Sequence, residues 1–64
     1  MRVDKIKIIT KMAKMDITQK ELAEKSQLAR GTINAIARGK SCSNETAQKI
    51  AKALNVSIDE ILED

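Results

Sequence analysis

Histidine, proline and aromatic residues are all missing from this chain of 64 residues, and Cys42 is its single cysteine. With no histidine and one thiol there is no ligand set for a zinc site, and no metal or cofactor is expected. A lone cysteine builds no disulfide framework, and an unpaired thiol suits a reducing cytoplasm. Without aromatics there is no platform for stacking unpaired bases, which argues against a binder of single strands or RNA loops. Enzymatic chemistry lacks its means as well. Cys42 has no histidine to activate it, and no paired carboxylates converge in a cleft that so small a core could build. No apolar run approaches the roughly 18 residues that a membrane span needs. Positions Met1 to Lys7 alternate charged and apolar residues and do not resemble a signal peptide.

What is present is charge, unevenly spread. Lysine and arginine number 12 against nine acids, a formal +3. Asp59, Glu60, Glu63 and Asp64 crowd the C-terminal end, so the first 58 positions carry 12 basic and five acidic residues, a formal +7. A basic body with an acidic end points to a polyanionic partner on one face. The length allows one domain, residues 1–64. A domain this short buries only about 60% of the surface of its unfolded chain, so dimerisation is an expected source of further stability.

No repeat, linker or low-complexity segment interrupts the chain, and apolar and polar residues nowhere alternate as in a strand. The pattern predicts an all-α fold of five short helices. The first runs over about Asp4 to Met15, with Ile8, Met12 and Met15 on one stripe and Ile6 and Ile9 partly off it. Thr18-Gln19-Lys20-Glu21 is a capping box that starts a second helix, which reaches about Lys25 and buries Leu22 and Ala23. After a short connection at Ser26 to Leu28, a third helix runs from Arg30 to Arg38, and Gly39 follows where a left-handed cap is expected. Ser43 is a candidate cap for a fourth helix, Asn44 to Leu54, with Ala47, Ile50, Ala51 and Leu54 inward. Ser57-Ile58-Asp59-Glu60 is a second capping box, expected to open a fifth helix carrying Ile58, Ile61 and Leu62.

The third helix separates into two faces. With Arg30 at zero and about 100° per residue, Asn34 falls at about 40°, Arg38 at about 80°, Gly31 at about 100° and Ala35 at about 140°. Ile36 falls at about 240° and Ile33 at about 300°. The face opposite the isoleucines holds arginines, an asparagine and small residues, and no carboxylate. A carboxylate there would face the line of negative charge on a nucleic-acid backbone. Gly31 and Ala35 allow close approach, and Ala35 is the right size to touch a thymine methyl. Two short helices joined by about four residues, the second basic outward, form the layout of a helix-turn-helix.

At this point the chain resembles a known family. Thr18 to Ser26, followed by Arg30-Gly31-Thr32-Ile33 and Arg38-Gly39-Lys40, is similar to the phage Cro and repressor family, also called the XRE family. Lys49 to Leu62 looks like that family's fourth and fifth helices, so the likeness covers nearly the whole chain. The resemblance implies a compact five-helix lambda-repressor-like fold with the helix-turn-helix in helices 2 and 3. It also implies sequence-specific reading of double-stranded DNA in the major groove. Arg30, Gly31, Asn34 and Ala35 stand where the family reads bases. Thr18, Gln19, Arg38, Lys40, Ser41 and Ser43 stand where it holds phosphates. Ile58, Ile61 and Leu62 stand where a homodimer contact is expected.

Some positions depart from the family pattern. Ala29 replaces the usual Ser or Thr cap of the third helix, a difference worth about 1 kcal/mol. Gly31 costs about another 1 kcal/mol inside a helix. Met12 and Ala37 stand where many members pair an arginine with a glutamate. The implied role is a cytoplasmic transcriptional regulator, a repressor because no surface for activation is evident, with no small-molecule effector. The alternative is an antitoxin-like or other protein-interaction module on the same fold. Cys42 is expected to be a plain loop residue facing solvent or backbone.

Overall fold

A computed structural model of the protein describes residues 2–63. It contains α1 (Lys5–Met15), α2 (Gln19–Ser26), α3 (Arg30–Ala37) and α4 (Asn44–Ala53), followed by a single 3-10 turn, Ile58–Glu60. The helix ends follow local chemistry. Asp4 caps α1, its carboxylate accepting from the N–H groups of Ile6 and Lys7 at 2.9 and 3.4 Å. At α2 both halves of the capping box form: Glu21 N–H donates to the Thr18 hydroxyl at 3.1 Å, and Thr18 N–H donates to the Glu21 carboxylate at 3.0 Å. Ser43 caps α4 by accepting from Thr46 N–H at 3.1 Å. Asp16 and Gln27 adopt left-handed conformations at the C-terminal ends of α1 and α2.

Ser26 does not open the connection between α2 and α3 as the sequence suggests. It is buried as the last residue of α2, and its hydroxyl donates to Leu22 C=O at 2.7 Å. This back-bond satisfies a polar group that would otherwise be costly inside the core.

The five-helix expectation is also corrected. Among the described residues there are four α-helices, and the fifth element stops after one 3-10 turn. The reason lies in what the last carbonyls do. Ile61 C=O accepts from Asp4 N–H at 2.7 Å, and Leu62 C=O accepts from the Lys7 ammonium at 2.8 Å. Val3 and Leu62 form an isolated antiparallel bridge. Glu63 N–H donates to Arg2 C=O at 3.2 Å. Pairing with the N-terminal segment satisfies these groups and buries both Val3 and Ile61.

The core joins Val3, Ile8 and Met12 to Leu22, Ala23, Ile33, Ile36, Ala47, Ile50, Ala51, Leu54 and Ile61. Leu22, Ala47, Ile50 and Leu54 have no exposed surface. The alanines Ala23, Ala47 and Ala51 are themselves buried, and α2 packs on both α3 and α4. Among the described residues, no helix is long and apolar enough to cross a membrane.

Candidate nucleic-acid interface

The turn between α2 and α3 is set by the backbone. Gln27 is left-handed at φ 60°, and Leu28 N–H returns to Ala23 C=O at 3.0 Å. Leu28 packs half-buried against the core, so the chain enters α3 at a fixed angle. Ile33 and Ile36 then hold α3 to the core, each 3% exposed.

Anchoring those two residues turns the other side of α3 outward. Arg30, Gly31 and Arg38 are exposed, while Asn34 and Ala35 are half-buried. The helical wheel places these five on one face, and the structure brings them together there. Among the described residues, neither Arg30 nor Arg38 has an ion-pair partner, whereas Arg2 pairs with Glu63 and Lys49 with Glu45. The two guanidiniums therefore keep their donors for something outside the chain.

Gly31 is informative for a different reason. A Cβ added there would meet nothing within 4 Å. Neither internal packing nor backbone conformation demands a glycine at this position, although glycine weakens a helix. Ala29 occupies the N-cap of α3 and supplies no side-chain hydrogen bond. Gly39, by contrast, is required by the fold. Its φ is +99°, and its N–H donates to Ile36 C=O at 2.9 Å.

The remaining candidate residues frame α3. Thr18 and Gln19 are exposed at the start of α2. The Thr18 hydroxyl accepts within the capping box and keeps a proton to donate. Lys40 and Ser41 are exposed in the loop after Gly39. Ser43 is exposed too, but its hydroxyl is committed: it accepts from Thr46 N–H and donates to the Thr46 hydroxyl at 3.0 Å.

Two basic residues beside this site carry no local sequence signal. The Arg2 guanidinium donates to Gly39 C=O at 3.4 Å while pairing with Glu63 at 3.0 Å. The Lys5 side chain comes within 3.8 Å of the position a Gly39 Cβ would take. Both arrive through the pairing of Val3 with Leu62, a contact that no helical periodicity encodes.

The residues expected at a dimer contact divide. Ile61 is 1% exposed and fills the core, so it offers no surface; Ile58 and Leu62 are half-buried and pack against that core. Ile61 is drawn inside because its carbonyl is tied to Asp4 N–H. Cys42 is a loop residue, as expected, but is not fully exposed to solvent. It packs half-buried on the core, and burial pushes its thiol above the ordinary range.

With this geometry in place, a protein-family model described as "Helix-turn-helix" matches residues 8–61, most of the chain. No curated protein matches, and no solved structure does.

Proposed function

Since the chain belongs to the XRE-type helix-turn-helix family of DNA-binding regulators, we propose that it reads double-stranded DNA by laying α3 in the major groove. Arg30 donates two hydrogen bonds to a guanine edge, and Gly31, Asn34 and Ala35 approach the neighbouring bases. Thr18, Gln19, Arg38, Lys40 and Ser41 hold phosphates on either side. The exposed start of α2 adds backbone N–H groups suited to an anion. Ser43 contributes through the start of α4 that it caps, since its own proton is taken.

The observation that carries this reading is the outward face of α3. Its arginines have no acidic partner among the described residues, and its glycine has no internal cause. As a symmetric dimer the protein spans a pseudo-palindromic operator with half-site centres about 34 Å apart and acts as a repressor. Ile58 and Leu62 are the dimer residues with surface left to offer. Selection of bound sequences from random duplex DNA tests the reading. It predicts a two-fold motif whose halves are one helical turn apart; recovery of unselected sequence would overturn it.

A further inference from the structure

Among the described residues, the exposed large hydrophobic side chains are Ile6, 60% exposed, and Ile9, 44% exposed. Both lie on α1, and the duplex-binding face does not use them. Measured around α1 from Lys5, Ile9 falls at about 40°, Ala13 at about 80°, Ile6 at about 100° and Thr10 at about 140°. The buried Ile8 falls at about 300° and the buried Met12 at about 340°. Helix α1 thus carries a second stripe at i, i+3, i+4 and i+7, and all four of its residues are exposed. Isolated surface hydrophobics need no explanation, but a helical stripe of this spacing is how one helix anchors on another.

The surroundings of the stripe select what covers it. Lys5, the origin of the wheel, borders one side, while Lys14 at about 180° and Lys11 at about 240° border the other. No acid occurs within α1. Among the described residues, Lys5, Lys11 and Lys14 form no ion pair. Of the nearby acids, Asp4 caps α1, Glu63 pairs with Arg2 and Glu60 accepts from Ser57 N–H at 2.8 Å, while Asp16 lies exposed just beyond the C-terminal end of α1. Beside the stripe lies a cleft of about 310 Å³ whose lining includes Ile6, Lys7, Lys11, Lys14, Val56 and Glu60. It can receive one apolar side chain reaching past the stripe.

A second copy of α1 laid on this face would set lysines against lysines, and like charges across an interface are disfavoured. An amphipathic helix with aspartate or glutamate along both edges would meet every one of them with opposite charge. We propose that the Ile6–Ile9–Thr10–Ala13 face of α1 is a docking surface for an acidic amphipathic helix of another protein, its apolar residues on the isoleucines and in the adjoining cleft.

The test titrates the full chain, isotope-labelled for NMR and held at about 0.1 M salt, with a synthetic helix. The peptide carries leucine at i, i+3, i+4 and i+7 and glutamate on both edges. A second peptide has every glutamate replaced by glutamine. The amides of α1 and of Val56 to Glu60 are expected to shift. Affinity should fall at least about tenfold in the double variant Ile6→Ser/Ile9→Ser and with the glutamine peptide. It should stay unchanged in Arg38→Ala/Lys40→Ala. Circular dichroism checks the fold of each variant. Equal weakening in Arg38→Ala/Lys40→Ala would mean diffuse attraction to basic surface and overturn the proposal. Absence of binding at millimolar peptide would also overturn it. So would a homodimer that Ile6→Ser/Ile9→Ser dissociates, which would make a second copy the occupant.

Discussion

Helices α2 and α3 have the same length, eight residues each, and are built on opposite terms. Helix α2 starts with a complete capping box, carries Glu21 in its first turn and ends on a buried serine that bonds back to its own carbonyls. Helix α3 has no side-chain cap, no acid in its first turn and a glycine at its second position. What α3 lacks in self-stabilising devices it has in outward-facing donors. Local stability is concentrated in the element that supports the site, while the element that would touch DNA is left chemically open. Ile33 and Ile36, rather than its own termini, hold α3 in place. Such a division is expected where a surface is shaped for an external partner rather than for the fold.

Substitutions can break that comparison from both sides. The largest effect is expected at Leu22 of α2, which has no exposed surface. Leu22→Ala should cost about 2–5 kcal/mol, comparable with the whole stability of so small a domain, and should appear as loss of the cooperative thermal transition. On α3, Arg30→Ala should leave the melting temperature unchanged. It should weaken binding to the preferred duplex by roughly 1–3 kcal/mol and relax preference at one base pair, read by competition against a panel of mutated sites.

Cap exchange sharpens the contrast further. Thr18→Ala should destabilise by about 1 kcal/mol, while Ala29→Ser should stabilise by a similar amount, because Ala29 already has the extended backbone of an N-cap. Chemical denaturation measures both. A stabilising Thr18→Ala would show that α2 is not the better-built helix. Gly31→Ala has open space for its methyl and should gain about 0.5–1 kcal/mol of stability. The same variant should bind duplex less well if close backbone approach is the reason for the glycine. The smallest effect concerns Cys42. Its raised thiol pKa predicts slower alkylation at neutral pH than for an unburied cysteine, with the rate climbing as pH rises.

The features readable in advance were local ones. The capping box at Thr18, the serine cap at Ser43, the left-handed Gly39 and the isoleucine face of α3 each depend on residues within one or two turns. Spacing alone specifies them. The features that escaped depend on residues far apart in the chain. Val3 pairs with Leu62, and that contact truncates the last helix, draws Ile61 inward and brings Arg2 and Lys5 beside Gly39. A capping box at Ser57 reports that a turn begins, not how far it continues. Ser26 escaped because serine ordinarily favours caps and turns, and its burial is tolerable only through the bond to Leu22 C=O. The long-range pairing of the two chain ends and one buried helical serine were thus the hardest to place.

Whether α3 presents its cations to a phosphate backbone is tested most directly by duplex affinity as a function of salt, for the natural chain and for Arg38→Ala/Lys40→Ala. A logarithmic plot should be linear and steep for the natural chain. Its slope should become shallower by about one for each phosphate contact removed, with all sequences weakened alike. An affinity indifferent to salt, or a slope that the double variant leaves unchanged, would contradict that claim.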